Sequence, residues 1–348
     1  MNEGSVQTLP SGATDLWLSA IIPNYNEAAL LPRAISALRT QDPPPDEIIV
    51  VDDGSTDASA EIVARLSTEM PTLTLIRSEH NRGVIPALNR GIEAARGRYV
   101  YFGSANDTVA PGFFATARQM LAEYPDCGFF CSECRIVTPD GCEIAMRPPA
   151  RPSSRPQHFP PANVPSALSR LGNFAPSSSV VMLKSAVVAA GGLQPELGSF
   201  ADGYLLRYLA LRHGFCFAPI IGANWTYDRS SVSVTTASDS ETNLRILNVT
   251  LAKMRTDPHF PPDYPSVFER QWRFGVGRIS ADLDEQHLLG IGPIVAPAPY
   301  ESMAWRGLAK IPGLMGRFLR LVWLTMRFRP FSLSAIVTTQ VLRMLKRR

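Results

Sequence analysis

Cysteine is scarce in this sequence and unevenly placed. The 348 residues include five cysteines, four of them between Cys127 and Cys142 and the fifth at Cys216. An odd number argues against a disulfide framework. The spacing Cys131-x-x-Cys134 allows a zinc site, but its neighbours do not complete a second pair and the segment has the pattern of β-strands. Reduced thiols packed inside a cytosolic protein are the other interpretation.

Signals for export and for membrane spanning are also absent. Residues 1–16 lack the basic and then apolar pattern of a secretory signal, and we expect them to be flexible. The segment 302–348 contains ten Lys or Arg and no acidic residue, although the whole chain has a net charge of only +3. Its apolar stretches are interrupted well before the ~20 residues that a spanning helix requires.

Two interpretations of this basic amphipathic tail stay open. It resembles an interfacial segment, with Lys and Arg on anionic headgroups and large apolar side chains in the acyl boundary. Alternatively, it is a helical appendage on the main domain, with its arginines in solvent. A nucleic-acid partner is not expected, because the basic region is short and no recognition module is present. We therefore expect a cytoplasmic protein, which under the first interpretation of the tail contacts the inner face of the cytoplasmic membrane peripherally.

The first 125 residues alternate regularly between strand and helix patterns. Short apolar strands are predicted at 18–23, 47–51, 73–76 and 99–102, and helices at 28–40, from Thr56 to about 69, at 87–95 and at 111–124. This order predicts a doubly wound, mostly parallel α/β sheet. Further helices are predicted at 202–213 and 241–256. The segment 147–165 has seven prolines and is typical of an extended linker or mobile loop.

Polar clusters follow three of the predicted core strands, at Asn24–Glu27, Asp52–Asp53 and Ser104–Asp107. In a doubly wound sheet these carboxyl ends face one crevice, where ligands bind. The loop 81–83 is expected nearby. A dinucleotide site would need G-x-G-x-x-G after the first strand. That turn contains no glycine here, so an NAD or FAD enzyme is not expected.

Four segments together resemble the family 2 glycosyltransferases of GT-A fold. They are IIPNYNEAALLPRAISAL, EIIVVDDGSTDAS, NRGVIPALNRGIEAARGRYVYF and GGLQPELGSFADGYLLRYLALRHG, and they extend over about residues 18–230. The resemblance implies a GT-A sheet with flanking helices and a helical C-terminal extension. It also implies transfer of a sugar, with inversion, from a nucleotide-sugar to a saccharide or lipid-linked acceptor.

The resemblance also assigns roles to residues that would bind the nucleotide-sugar. Pro23, Tyr25, Glu27 and Asp52 would hold the nucleotide, with Asp52 accepting a hydrogen bond from the base. Asp53 would support the loop, and Arg82, in the segment 81–83 expected nearby, would also bind the nucleotide-sugar. Turn and cap chemistry is the alternative interpretation for Asp53 and Asp57.

The metal motif of the family is altered in this sequence. Where the family has Asp-Ala-Asp-Asp, this chain has Ser104, Ala105, Asn106 and Asp107. Ser104, Asn106 and Asp107 would contact the sugar nucleotide, and Asn106 and Asp107 are the candidate ligands for a divalent cation, Mn or Mg. Since an amide oxygen is a weaker ligand than a carboxylate, the cation site is degenerate. An Asx-turn before the next helix is the alternative role for Asn106 and Asp107.

Asp202 is the predicted catalytic base, which takes the proton of the acceptor hydroxyl. Its alternative role is a helix N-cap. The family's neighbouring Glu is Ala201 here. The predicted organisation is a catalytic domain over 17–235, with a nucleotide-binding half (18–125) and an acceptor half (126–235), a helical extension over 236–301 and the tail over 302–348.

Two other functions compete with the glycosyltransferase. One is a GT-A-fold protein that has lost catalysis and binds nucleotide-sugars or serves as a scaffold. The other, a sugar nucleotidyltransferase, would want a Gly-rich basic loop after the first strand, which is missing. The role in surface polysaccharide synthesis rests on the resemblance alone.

Overall fold

A computed structural model describes residues 17–227, 239–281, 284–328 and 333–346. The N-terminal segment 1–16, expected to be flexible, lies outside the described residues.

The N-terminal half follows the predicted alternation of strands and helices. Its elements are, in chain order, β1 (Leu18–Asn24), α1 (Leu31–Arg39), β2 (Glu47–Asp52), α2 (Ser59–Glu69), β3 (Leu73–Arg77), α3 (Val84–Ala94), β4 (Tyr99–Phe102), β5 (Thr108–Val109) and α4 (Phe113–Glu123). All six residues of β2 are buried, as expected of a parallel strand covered on both faces.

The second half contributes further strands and the long helix behind the site. These elements are β6 (Phe129–Val137), β7 (Glu143–Arg147), β8 (Gln157–Phe159), α5 (Val164–Leu171), β9 (Val180–Leu183), α6 (Lys184–Ala189), α7 (Ala201–His213) and β10 (Phe215–Thr226). C-terminal to them lie α8 (Ser240–Thr256), α9 (Tyr264–Ser280), α10 (Glu285–Gly290), α11 (Gly292–Val295), α12 (Pro299–Ala309), α13 (Gly313–Phe328) and α14 (Leu333–Lys346).

One sheet connects the two halves. Its main path runs β3-β2-β1-β4-β9-β6-β10-β5, with β7 beside β6 and β8 beside β10. The first four strands pair in parallel, and β9 runs antiparallel to both β4 and β6. Strands β6 and β10 are again parallel. The mostly parallel, doubly wound sheet with flanking helices is therefore confirmed.

Some predicted boundaries differ from the structure. Helix α1 begins at Leu31 rather than 28, because residues 27–30 form a turn in which Glu27 O accepts from Leu30 N and Leu31 N. Helix α3 begins at Val84 rather than 87, directly after Gly83 at φ +95°. Pro86 falls in its first turn, where a missing N–H is tolerated.

The proline-rich segment 147–165 is more ordered than the predicted linker or mobile loop. It contains β8, which pairs with β10, and the first turn of α5. Arg343 Nη2 on α14 donates to Pro148 O at 2.7 Å, and Arg151 N donates to Thr339 Oγ1 at 3.1 Å. Prolines disfavour regular structure locally, but contacts with distant elements hold the segment in place.

The cysteine arrangement does not fit zinc. Cys131 and Cys134 are three residues apart on β6, so their side chains point to opposite faces of the sheet. Both are buried, and all five thiols are free. Among the residues described, no three His, Cys, Asp or Glu side chains group as metal ligands.

Two hydrophobic clusters account for the core. The larger runs from Leu18 to Phe268 and packs on both faces of the sheet, and the smaller runs from Phe274 to Phe328 within the C-terminal helices. Trp272 packs against both clusters, so the C-terminal helices are continuous with the main core. The predicted boundaries at 235 and 301 stay predictions.

The tail contacts the rest of the chain through its arginines. Arg343 on α14 donates to Glu133 of β6, where Arg151 Nε also lies 3.7 Å from the carboxylate. Arg327 on α13 pairs with Glu301. These side chains are therefore not simply in solvent, as one interpretation of the tail supposed. No helix in the described part of the chain is both long and apolar enough to cross a membrane.

Arg320 is buried in α13 and connects three segments. Its guanidinium donates to Ala281 O (3.0 and 3.3 Å), Leu308 O (3.0 Å) and Ile311 O (2.9 Å). A buried cation is stable only when such partners replace water.

Arg320→Met is expected to lower the free energy of unfolding by about 2–4 kcal/mol, because it removes the charge-assisted hydrogen bonds to the carbonyls of Ala281, Leu308 and Ile311. Arg255→Met, on the exposed face of α8, is the matched control and should change it by less than about 0.5 kcal/mol. Urea unfolding followed by circular dichroism measures both. Equal stability of the two variants would show that the carbonyl contacts of Arg320 contribute nothing.

Candidate functional site

The turns after β1 and β2 are joined by buried hydrogen bonds. Asn24 Nδ2 donates to Asp52 Oδ1 at 2.9 Å and to Ser55 Oγ at 3.1 Å. Ser55 Oγ also accepts from Asn26 N at 2.9 Å. Parallel pairing sets Asn24 opposite Asp52, so the last residues of both strands meet at the carboxyl edge. This network holds the Pro23–Glu27 turn against the Asp52–Asp57 turn.

Asn26 and Asp57 complete the connection between the two turns. Asn26 has φ +56°, a left-handed conformation that Asn tolerates well, and its Oδ1 accepts from Thr56 N at 2.8 Å. Asp57 accepts from Ala28 N and from Ser59 N, both at 3.0 Å. Although slight burial opposes it, these hydrogen bonds lower the pKa of Asp57. Asp57 thus has the cap chemistry that was the alternative to a ligand role.

Asp52 keeps one oxygen available for a ligand. The residue is fully buried, and Arg77 Nε lies 3.4 Å from its Oδ2. Within the described residues, Asp52 Oδ2 and Asn24 Oδ1 accept no hydrogen bond. Buried polar atoms normally form hydrogen bonds, so a ligand that donates hydrogen bonds to these two acceptors would be stabilised. Tyr25, next to Asn24 in the chain, is 45% exposed.

Asp53 holds the loop that carries Arg82. Its Oδ2 accepts from Arg82 N at 2.8 Å and from Gly83 N at 2.7 Å. Gly54, at φ +76°, lets the loop approach closely, because a Cβ there would lie 2.8 Å from the His80 carbonyl carbon. The Arg82 side chain is exposed. The structure therefore gives Asp53 a supporting role and leaves Arg82 free to reach a ligand.

The segment after β4 lies at the same carboxyl edge of the sheet as the turns after β1 and β2. Ser104 Oγ donates to Asn106 Oδ1 at 2.6 Å, and Arg33 Nη2 on α1 donates to Asn106 O at 2.9 Å. Asp107 is buried and its Oδ1 accepts from Thr226 N of β10 at 2.8 Å. Burial is the main cause that raises the pKa of Asp107 to about 7, and the charge of Glu27 contributes to the rise. Because Arg33 lies on α1, which follows the Pro23–Glu27 turn, its bond to Asn106 holds the two segments together.

These residues do not fit a divalent-cation site. Asp107 is the one carboxylate among Ser104, Asn106 and Asp107, and its raised pKa means that a neutral form competes with the anion that Mn²⁺ or Mg²⁺ requires. Asn106 Oδ1 is already bonded to Ser104. The hydrogen bonding of Asn106 and the burial of Asp107 therefore do not support their predicted role as metal ligands.

Asp202 lies at the start of α7, half-buried. Gly214 is the C-cap of helix α7, and its carbonyl accepts from Gly128 N. Gly128 lies just before β6, so this end of α7 is at the amino edge of the sheet. The other end of α7 must therefore lie at the carboxyl edge, as do Asp52 and Asp107. Asp202 Oδ1 accepts from Gly203 N at 2.6 Å. The N-cap residue of α7 is Phe200, so Asp202 does not have the N-cap role that was its alternative.

Sequence reasoning missed three residues that shape this site. Arg33, Arg77 and Thr226 contact Asn106, Asp52 and Asp107 respectively. They lie on α1, β3 and β10, outside the clusters that follow the core strands. No sequence signal identifies them, because their roles arise from packing between elements distant along the chain.

The architecture is that of the GT-A glycosyltransferases. A structure of residues 1–349 of TarS from S. aureus, in complex with UDP-GlcNAc, superposes with a TM-score of 0.60 at 14% identity, covering 85% of this chain and 90% of that one. The mannosyltransferase PcManGT from Pyrobaculum calidifontis, in complex with GDP-Man and Mn²⁺, gives 0.55 at 19% identity, with 92% and 91% covered. At these identities the likeness establishes the fold.

Sequence comparisons identify the family of the N-terminal segment. Residues 19–142 match the family described as Glycosyl transferase family 2, and this segment is a domain of that family. The succinoglycan biosynthesis protein ExoO of Rhizobium meliloti is 31% identical over 168 residues, 48% of this chain and 45% of that protein. The uncharacterized glycosyltransferase YibD of Escherichia coli is 41% identical over 106 residues, 30% of each. The matched segments span less than half the length of these relatives. The resemblance drawn from the motifs is confirmed.

The raised pKa of Asp107 predicts a pH dependence of stability. Between pH 4 and about 7 the unfolded chain ionises this carboxyl while the folded chain keeps it protonated, so stability falls as the pH rises and levels off above pH 7. Asp107→Asn keeps an acceptor for Thr226 N and removes the titration. We expect its stability advantage over the wild type to grow by on the order of 1 kcal/mol per pH unit in this window.

Thermal unfolding at pH 5, 6, 7 and 8 measures the effect. Asp126→Asn, at an exposed position, is the control and should follow the wild type. Parallel pH profiles for Asp107→Asn and the wild type would contradict the assignment.

Proposed function

We propose that this protein is an inverting glycosyltransferase that uses a nucleotide-sugar donor. The observation that carries the proposal is the buried Asp52 carboxylate, whose Oδ2 accepts no hydrogen bond among the described residues, at the carboxyl edge where the exposed Tyr25 follows Asn24, the residue paired with Asp52. A ring N–H of a nucleobase would satisfy the carboxylate, and the aromatic ring would cover the base. The family 2 domain and the GT-A fold support this assignment.

The donor would lie along the carboxyl edge of the sheet. The base would occupy the Tyr25 and Asp52 end, and the sugar would extend toward the Ser104–Asp107 segment. Pro23 and Glu27 belong to the turn that joins these two places, and Arg82 lies on the loop held by Asp53. TarS was solved with UDP-GlcNAc and PcManGT with GDP-Man. A uridine or guanosine diphosphate sugar is therefore the donor to test first.

Transfer would proceed by one displacement at the anomeric carbon. Asp202 would accept the proton of the acceptor hydroxyl while that oxygen bonds to the carbon and the bond to the diphosphate breaks, inverting the configuration. The leaving nucleoside diphosphate gains negative charge, which positive groups must stabilise. A saccharide or lipid-linked acceptor, in the synthesis of a surface polysaccharide or glycoconjugate, is consistent with relatives such as ExoO.

Asp202→Asn is expected to lower sugar transfer by at least about 10²-fold, since the amide cannot take a proton. Nucleotide affinity should stay within about threefold of wild type, because a base acts on the acceptor and not on the donor. Transfer from UDP- and GDP-sugars and the Kd for UDP and GDP are the two measurements.

Asp52→Asn is the reciprocal variant and should weaken nucleotide binding by about tenfold or more, since it replaces an acceptor by a donor. Asp126→Asn on the surface is the control for both. If Asp202→Asn transfers sugar at the wild-type rate, Asp202 has no place in the mechanism.

A second function is favoured by the altered metal motif. Ser104, Asn106 and the neutral form of Asp107 leave the site without the family's carboxylates, and Ala201 replaces its Glu. A protein with such a site could bind nucleotide-sugars without transferring the sugar. Calorimetry with UDP-, GDP- and dTDP-sugars, with and without Mn²⁺, separates the cases: binding without turnover indicates a scaffold, and turnover indicates the enzyme.

We further propose peripheral contact of the C-terminal helices with the cytoplasmic face of an anionic membrane. Helix α13 exposes Leu314 (82%), Met315 (64%), Phe318 (61%) and Met326 (72%). Met303 on α12 is 75% exposed, and Arg306 and Lys310 are exposed close to it in the chain. Apolar side chains beside basic ones match an anionic lipid surface, and residues 302–348 contain no acid to oppose it.

The full chain is expected to float with vesicles that contain phosphatidylglycerol, and less with pure phosphatidylcholine. The double variant Leu314→Ser, Phe318→Ser should float severalfold less, because it removes apolar area without touching the core. Val188→Ser, at a 56% exposed position on α6, is the matched control. Equal flotation of all three proteins would count against docking through α13.

A further inference from the structure

A cavity of about 440 Å³ lies among the C-terminal helices, and none of the residues that line it belongs to the candidate site. Its walls come from the end of α9, the start of α10 and the connection from α12 to α13. The charged side chains at these walls are Asp284, Glu285, Lys310, Arg317 and Arg320. Small-molecule sites in proteins typically have volumes of ~300–1,000 Å³. The cavity is therefore large enough for a small charged ligand.

Two buried side chains hold the walls of the cavity together. Trp305 Nε1 on α12 donates to Leu288 O on α10 at 2.7 Å, which fixes α10 against α12. Arg320 on α13 is 4% exposed and donates to Ala281 O at 3.0 Å and to Ile311 O at 2.9 Å. Its guanidinium thus connects the end of α9 to the segment between α12 and α13. Because these bonds join all the elements that line it, the cavity is part of the fold and needs no ligand to form.

The cavity has side chains of both charges, on different elements. Asp284 and Glu285 lie at the start of α10. Lys310 is the C-cap of α12, and Arg317 is exposed on α13. The hydrogen bond from His287 N lowers the pKa of Asp284, so this carboxyl group is an anion at neutral pH. A ligand with one cationic and one anionic group would therefore have an oppositely charged partner on each wall.

The cavity also borders the exposed apolar face of α13. Leu314 lines the cavity and is 82% exposed, and Phe318, one turn further along the helix, is 61% exposed. These are the side chains proposed above to enter a membrane surface. An apolar face that enters the acyl boundary places the charged groups beside it among the lipid headgroups. The ligand that fits this arrangement has a charged group with both signs next to an apolar part, as a zwitterionic phospholipid has.

We propose that this cavity binds the headgroup of phosphatidylethanolamine. Its primary ammonium would donate hydrogen bonds to the carboxylates of Asp284 and Glu285. Its phosphate would accept hydrogen bonds from Lys310 and Arg317. A choline headgroup has the same two charges but no N–H group, and a glycerol headgroup has no cation. The cavity would therefore distinguish phosphatidylethanolamine from both of these lipids. This inference rests on the proposed membrane contact and gives that contact a specific headgroup.

Binding of single lipid molecules tests the cavity without a membrane. Dihexanoyl phosphatidylethanolamine, kept below the concentration at which it forms micelles, is titrated into the full chain by calorimetry. The phosphatidylcholine and phosphatidylglycerol of the same chain length are the competing headgroups. We expect the ethanolamine lipid to bind at least about fivefold more tightly than either, because only its ammonium both carries charge and donates hydrogen bonds.

The double variant Glu285→Gln, Lys310→Gln removes one charge from each wall and leaves the net charge of the chain unchanged. It is expected to weaken binding of the ethanolamine lipid by about fivefold or more. Arg306→Gln, at an exposed position on α12 outside the cavity, is the matched control and should bind as the wild type does. Thermal unfolding verifies that each variant is folded. Equal binding of the three lipids by the wild type, or unchanged binding in the folded double variant, overturns the proposal.

Flotation then separates this inference from the proposed membrane contact. Two sets of vesicles contain the same fraction of phosphatidylglycerol, and the remainder is phosphatidylethanolamine or phosphatidylcholine. The wild type should float severalfold more with the ethanolamine vesicles, and the double variant should lose this preference but still require phosphatidylglycerol. Binding of the single ethanolamine lipid without any flotation would sustain the cavity and count against the membrane contact. Flotation with no preference for ethanolamine in either assay would sustain the contact and overturn the cavity.

Discussion

The hydrogen bond between Asn24 and Asp52 is the contact on which the site depends. It joins the last residues of two parallel strands, both buried, and Ser55 extends it to the backbone of the first turn. Asp53, the next residue, holds the loop 81–83 through two backbone N–H groups. One pair of adjacent carboxylates therefore positions three segments. Asp52 retains an oxygen without a hydrogen bond, and this is the acceptor that a nucleobase would use.

The segment after β4 differs in charge from the motif of the family. Positions 104, 106 and 107 hold a serine, an amide and a carboxyl group whose pKa burial raises to about 7. Two of the three side chains carry no carboxylate, so the charge of a bound phosphate would have to be balanced by other positive groups.

The C-terminal helices are attached to the rest of the chain through polar contacts that composition did not suggest. Arg343 and Arg151 meet the buried Glu133, and Arg320 binds three carbonyls. The same segment presents Leu314 and Phe318 to solvent. Some arginines of this segment therefore hold the helices to the rest of the chain, and other basic residues lie near an exposed apolar face. Counting charges along the chain could not separate these roles.

The sequence by itself determined the alternating strands and helices of the first half, because apolar periodicity and turn residues act locally. It also determined that Asp52, Asp53 and the segment after β4 come together at the carboxyl edge of the sheet, since they follow strands directly, and its motifs carry the resemblance to the family that residues 19–142 match. Only the tertiary structure decided that Asp107 accepts from Thr226, that Arg33 bonds to Asn106 and that Arg77 lies beside Asp52. These contacts connect residues tens to more than a hundred positions apart. Their energies come from burial and from neighbours on other elements, which no local pattern records.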